Sequence, residues 1–357
     1  MARAAKGRGA RSNESGRFEP EHVEGFHDGW TEDDAGAAPL RTTLTPERAR
    51  TIIARNQSPD VGFDRSINPY KGCEHGCVYC YARPSHAFMG LSPGLDFESR
   101  LFFKPEAARL LERELSAPRY VCKRLHIGGN TDPYQPVERE LKSTRAILEV
   151  LQKFRHPFSI ITKSVLIARD ADILGEMARD RLASAFVSIT TLDRALARAM
   201  EPRASTPEKR LEAISRLAGA GVPVGVAFAP VIPGLNDHEL ETVLQAAARA
   251  GATSAMYVTL RLPLEIKDLF REWLADARPD RAARVMSLIR QTRGGRDYDP
   301  DWSQRMKGTG PVADLIGARF KAATKRYGLD GPRHDLDVGR FRVPPEFRPQ
   351  GDLFDAA

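Results

Sequence analysis

Cysteine is scarce in this chain of 357 residues: there are four, and three of them, Cys73, Cys77 and Cys80, fall in one short stretch. That usage excludes a disulfide framework and points to a reducing compartment. Long hydrophobic runs are absent too. No apolar stretch reaches the ~18 residues that a membrane span requires, and the opening MARAAKGRGARSNES lacks the apolar region of a secretory signal. A cytoplasmic protein with no membrane partner is therefore expected. Strong charge of one sign is also missing: 54 Lys and Arg oppose 47 Asp and Glu, a net +7 that permits an anionic partner without demanding one. Hydrophobic residues make up 41%, enough for one large domain of roughly 200–250 residues with extensions.

What the chain does have is CEHGCVYC at 73–80, a Cys-x3-Cys-x2-Cys pattern. Three thiolates at this spacing can wrap one cubane iron–sulfur cluster and leave its fourth iron without a protein ligand. An open iron can bind a small molecule through nitrogen and oxygen and pass it an electron. Two other readings use the same cysteines. A zinc-binding, nucleic-acid-binding module without catalysis would need His75 or the distant Cys122 as fourth ligand, and no second Cys-x2-Cys or His pair completes that signature. A closed redox protein would hold a cluster but bind no small molecule.

Residues 1–40, rich in Gly, Arg and acidic residues, read as a disordered basic arm, 41–262 as the catalytic core and 263–357 as a helical extension with a tail, FRVPPEFRPQGDLF, extended on the surface. Within the core, strand-like runs near 66–70, 124–129, 157–162, 183–190, 222–229 and 253–258 alternate with helical patterns. Thr206 and Pro207 make a cap and first-turn pair, and Asp237 is a second candidate cap. Strands separated by helices imply parallel pairing and a barrel of β/α units, whose chemistry sits at the carboxyl ends of the strands. Those ends are polar: Gly128 to Asp132, Lys163 and Ser164, Ser188 to Thr191, the turn at 230–237, then Tyr257, Thr259 and Arg261.

The cysteine loop resembles that of the radical S-adenosylmethionine superfamily, and the resemblance extends over roughly residues 60–260. It implies an α/β fold with a partial (β/α)6 barrel, a [4Fe-4S] cluster on Cys73, Cys77 and Cys80, and S-adenosyl-L-methionine bound at the open iron. The reduced cluster would cleave this cofactor to a 5′-deoxyadenosyl radical that takes hydrogen from a substrate. An external electron donor such as flavodoxin or ferredoxin is implied. Tyr79 stands where the family packs an aromatic by the adenine, Gly128, Gly129 and Asn130 resemble its glycine-rich segment, and Val231 and Ile232 open the turn that lies along the adenine.

More narrowly, GGNTDPYQPVE, ITKS and VSIT resemble the spore photoproduct lyase-like branch, and the whole chain resembles a bacterial group within it. In that branch the positions of Thr131, Lys163 and Ser188 hold the cofactor's methionine and ribose ends, and Tyr81 follows the third cysteine. One departure matters. The lyase has a hydrogen-donating cysteine where this chain has Asn130; the spare Cys122, eight residues earlier, is by default an inert thiol. Tyr81, Asp132 and Tyr134 are the candidates for facing the substrate, with capping of a helix near Pro136 as the other reading of Asp132. A DNA or RNA substrate is suggested by the branch, by mild basicity and by the loop at 293–311, where Arg296, Tyr298, Trp302, Arg305 and Lys307 interleave. The same loop reads equally as a lid over the barrel mouth.

Overall fold

The apolar runs of the core form strands buried on both faces, as a parallel sheet covered by helices requires. The protein is described by a computed structural model covering residues 7–19, 40–331 and 335–347. Its strands are β1 (Thr43–Pro46), β2 (Ile53–Arg55), β3 (Arg65–Ile67), β4 (Tyr70–Lys71), β5 (Arg100–Phe103), β6 (Leu125–Ile127), β7 (Phe158–Thr162), β8 (Ala183–Ser188), β9 (Val224–Val231) and β10 (Ser254–Thr259). The main sheet runs β10-β9-β8-β7-β6-β3-β2. All its neighbours pair in parallel except the edge strand β2, which is antiparallel to β3. The six parallel strands thus lie in chain order, the expected α/β architecture, and among the described residues no ladder joins β10 to β3 or β2. A small sheet β1-β5-β4 stands apart.

Helices of amphipathic pattern return the chain between strands: α1 (Ala107–Leu115), α2 (Ser143–Lys153), α3 (Ala171–Arg179), α4 (Arg194–Met200), α5 (Pro207–Gly219), α6 (Leu240–Arg249), then α7 (Ile266–Ala277), α8 (Ala282–Gln291) and α9 (Pro311–Tyr327). The cap of α5 is as expected, with Thr206 Oγ1 accepting from the Lys209 N–H and Pro207 in the first turn. Ala213, Ile214 and Leu217 bury its inner face, and fully burying a large aliphatic contributes about 1.5–3 kcal/mol each. Asp237 does not cap α6. A 3-10 turn at Asp237–Glu239 precedes the helix, and Asp237 Oδ1 accepts from the Gly234 N–H of the preceding turn.

Two segments differ from the sequence reading. Residues 7–19, placed there in a disordered arm, are folded: Arg8 and Ala10 are buried against the cysteine loop, while 20–39 lie outside the described residues. The physical reason is Glu98, whose buried carboxylate accepts from the Gly9 and Ala10 N–H groups at 2.8 Å each. The tail, read as an extended surface segment, covers the opposite end of the sheet, where Phe341 and Phe347 pack beside Phe154 and Tyr120. Residues 348–357 lie outside the described residues.

Candidate functional site

The cysteine loop follows β4 at the carboxyl end of the parallel strands, and its backbone is held from several sides. Cys73 N–H donates to Phe97 O, Val78 N–H to Met200 O and Cys80 N–H to Cys77 O, at 2.9, 3.0 and 3.2 Å. Gln135 clasps the loop start, accepting from Glu74 N–H and donating to Gly72 O. Buried Arg83 donates to Cys77 O at 2.9 Å and to the Glu98 carboxylate at 2.5 Å. All three thiols are free, two of them buried and Cys80 half-buried. Burial pushes the Cys73 and Cys77 thiols up; Asp132 and the other two cysteines add to this at Cys73, whereas Lys163 opposes it at Cys77.

This donor set fits a cubane better than a zinc ion. Three sulfurs from one tight loop suit separate iron corners of a cluster. A closed zinc tetrahedron needs its ligands to converge on one point, and among the described residues no three His, Cys, Asp or Glu side chains do so. Neither candidate fourth zinc ligand is placed for it. His75 is buried with Nδ1 3.3 Å from Asp132 Oδ2, an electrostatic contact without hydrogen-bond alignment. Cys122 lies before β6, at the far end of that strand from Asn130, with Sγ 3.6 Å from His156 Nε2; burial raises its thiol to about 11.

The strand-end residues gather around this loop. Lys163 Nζ sits 5.8 Å from the centre of the Tyr79 ring. Tyr79 is buried, its hydroxyl donating to Glu201 and lying 3.2 Å from Thr190 Oγ1. Glu201 is in turn paired with Arg210, whose Nη1 donates to Ser188 O at 3.1 Å. Sequence patterns missed this Tyr79–Glu201–Arg210 network, because Glu201 lies between α4 and α5 and Arg210 on α5, where charged residues read as surface. Ser188 Oγ donates to Ala229 O, tying β8 to β9. Val231 and Ile232 are fully buried, Ile232 in one apolar cluster with Cys77, Val78 and Tyr79.

At the tip of β6, Gly128 has φ +92°, and a Cβ there would stand 2.6 Å from Ile161 O. Asn130 N–H donates to Asn68 Oδ1 and Thr131 Oγ1 to Tyr70 O, while Gly129 O accepts from the Tyr81 hydroxyl. Asp132 does not cap the helix near Pro136, whose N-cap position is Val137. Its carboxylate accepts from the Tyr134 and Lys163 N–H groups and from Thr162 Oγ1. Burial alone would raise this carboxyl; His75 and those donors outweigh it and hold the group near about 2. Tyr134 is a core residue whose hydroxyl donates to Asp170 at 3.0 Å, so it does not face the mouth of the sheet. Tyr81 alone of the three candidates is exposed.

The loop at 293–311 is fastened over the edge of the sheet. Thr259 N–H donates to Met306 O and Arg293, fully buried, donates to Leu260 O and Gln304 O. Arg305 grips Asp60, from the segment before β3, through two bonds of 2.5 and 2.6 Å, which joins the two edges of the open sheet. Arg296 pairs with Asp299, and Lys307 Nζ donates to Tyr257 O. The cations expected to touch phosphates are thus engaged within the protein.

Comparison with known proteins agrees with this geometry. The sequence profile of the Radical SAM superfamily matches residues 67–247. An uncharacterized protein of Mycobacterium tuberculosis is 35% identical over 80% of this chain and 84% of its own length. One of Methanocaldococcus jannaschii is 29% identical over 48% of this chain and 62% of its own. Among solved structures, a spore photoproduct lyase variant superposes with a TM-score of 0.53 at 15% identity, covering 80% of this chain and 79% of that one, a likeness of fold. A second variant of that lyase, holding AdoMet and dinucleoside spore photoproduct, gives 0.51 at 16% identity over 80% and 78%. The chain belongs to the Radical SAM superfamily and is an enzyme of that group.

Proposed function

We propose that Cys73, Cys77 and Cys80 hold a [4Fe-4S] cluster whose open iron takes S-adenosyl-L-methionine, and that the enzyme removes a hydrogen atom from its substrate. The observation that carries this reading is three free, largely buried thiols in one loop at the carboxyl ends of the parallel strands. When bound, the reduced cluster supplies the electron that converts S-adenosylmethionine into methionine and a 5′-deoxyadenosyl radical. The chain's own part is positioning and exclusion of water. Gly128, Gly129, Asn130 and Thr131 offer a close-lying backbone and polar groups, Lys163 an ammonium for a carboxylate, Ser188 a hydroxyl, and Tyr79, Val231 and Ile232 the apolar walls. A flavodoxin- or ferredoxin-type protein is the proposed electron donor.

A nucleic acid is the substrate class to test first, supported by a spore photoproduct lyase solved with its dinucleoside lesion and by the net charge of +7. Reversal of that lesion is not part of the proposal. Asn130 has no weak S–H bond to return a hydrogen atom, and Cys122 stands at the other end of β6. The test is anaerobic reconstitution, reduction with S-adenosylmethionine, and product analysis with and without DNA and RNA. About four irons and four sulfides per chain are expected, with release of 5′-deoxyadenosine. Cys73→Ala, Cys77→Ala and Cys80→Ala should each abolish the cluster, whereas Cys122→Ala should keep it. Zinc without sulfide, or S-adenosylhomocysteine as sole cofactor product, would overturn the reading.

A further inference from the structure

Three guanidinium groups crowd the carboxyl end of β10, and two of them meet oxygen acceptors, although the Nε of Arg293 is buried without one. Arg305 holds Asp60, and Arg293 donates to the carbonyls of Thr259, Leu260 and Gln304. Arg261 is different. Its guanidinium lies 5.0 Å from the centre of the Tyr81 ring, its Nη1 reaches only Met306 Sδ at 3.4 Å, and its Nε is buried with no acceptor. A thioether is a weak acceptor, and among the described residues no carboxylate pairs with this arginine. The cost of burying a guanidinium donor without a strong acceptor is substantial, so an arrangement of this kind calls for an anion.

The surroundings say which kind. Asp60, the nearby carboxylate, is committed to Arg305, so Arg261, Arg293 and Arg305 against Asp60 leave two positive charges in excess. A phosphomonoester, such as the terminal phosphate of a nucleotide or nucleic-acid end, can carry two negative charges and take two parallel N–H bonds from a guanidinium fork, and so matches that excess better than a carboxylate. The Tyr81 ring lies within cation–π reach of the guanidinium carbon. Tyr81 directly follows Cys80 and is bonded to Gly129 at the tip of β6, so the fork stands beside the proposed reaction site. The residues proposed for the cofactor lie mainly on β6, β7 and β8, whereas Arg261 leaves the edge strand β10.

We propose that Arg261 is the receptor for a phosphate group of the substrate, held at the mouth of the sheet on the ring of Tyr81. This rests on the reading of that mouth as the reaction site. Calorimetric titration of the full chain, reconstituted anaerobically, would use inorganic phosphate as the probe and acetate as the comparison, with and without saturating S-adenosylmethionine. Phosphate should bind at least tenfold more tightly than acetate, lose at least tenfold in Arg261→Gln, and be unchanged by S-adenosylmethionine. Arg261→Lys, which keeps the charge but not the fork, should lose at least threefold, and it carries the comparison should the glutamine variant not fold. Equal affinities in wild type and variants, equal binding of acetate, or displacement of phosphate by S-adenosylmethionine would each overturn the proposal, the last by assigning Arg261 to the cofactor's carboxylate. Iron, sulfide and 5′-deoxyadenosine measured on the same samples separate this failure from failure of the cluster reading.

Discussion

Replacing Glu98 by Gln should release the strap formed by residues 7–19 from the cysteine loop. The Glu98 carboxylate, fully buried, takes a bond from Arg83 and from the Gly9 and Ala10 N–H groups, while its backbone carbonyl takes one from Arg8 at 2.6 Å. Gln keeps the shape but removes the charge, so Arg83, also fully buried, loses its ion pair with Glu98 and keeps three carbonyls. The amide –NH2 must also point at a donor. Breaking a buried pair costs about 3–5 kcal/mol, and the lower figure applies because those carbonyls remain. At 1.4 kcal/mol per decade, about 3 kcal/mol raises the opened population roughly 100-fold. Trypsin cleavage after Arg11 or Arg17, followed by mass spectrometry, reads that population directly when opening precedes cleavage. Cleavage within about threefold of wild type would refute the assignment.

A second substitution asks whether the strap supports the cluster loop. A Cβ on Gly9 would stand 1.8 Å from Gly76 O, between Cys73 and Cys77, so Gly9→Val should push the strap away without touching Glu98. Iron release to a chelator should then accelerate, and an unchanged rate in a variant shown by trypsin to be open would break the link between strap and cluster.

Three further outcomes are expected. Gly128→Ala, at φ +92° with its Cβ against Ile161 O, should cost about 1–3 kcal/mol, and a wild-type melting temperature would contradict the strained backbone. Lys163→Met and Ser188→Ala should each weaken S-adenosylmethionine binding at least tenfold while leaving iron content intact; loss of iron instead would make them loop supports. His156 is buried neutral, held near about 4 by burial against an ordinary value of 6.5. The unfolded chain therefore takes up a proton first as pH falls, so the contribution of His156 to stability is complete above about pH 7 and is lost toward pH 4, by about 2 kcal/mol between pH 7 and 5. Urea unfolding at the two pH values, compared with a flatter response in His156→Gln, checks the sign and size.

What the sequence made legible was local. Three cysteines within one loop point by their spacing to a shared metal centre, the strands declare themselves as apolar runs, and the Thr206–Pro207 start of α5 is written in adjacent residues. Asp132 was half legible. Its Asx-type bond to the Tyr134 N–H is a short-range habit of the residue, but its bonds to Thr162 and Lys163 cross to β7. Helix α9 falls in the extension read as helical, but its own bounds were not legible, because, of its buried positions Ala313, Ile316, Ala323 and Thr324, only Ile316 is large and apolar. Tyr134 was misassigned because a tyrosine on a polar strand tip carries no mark of the Asp170 that draws its hydroxyl inward.

The remaining misses share one cause. Arg8 with Glu98, Arg83 with Glu98, Tyr79 with Glu201, Arg210 with Glu201 and Arg305 with Asp60 are buried or half-buried polar pairs, several of them between residues far apart in the chain. Pattern reading assigns charged residues to the surface, because burying one without a partner is costly. It has no means of knowing that the partner arrives from another segment. These pairs cluster at the cysteine loop and the strand ends beside it, the part of the fold that must fix reactive groups and exclude water with polar side chains rather than with an apolar core. Periodicity therefore fails most where the chemistry is done, and Arg261 stands out there because, among the described residues, its only acceptor is the Met306 thioether, whereas Arg293 and Arg305 meet carbonyls and a carboxylate.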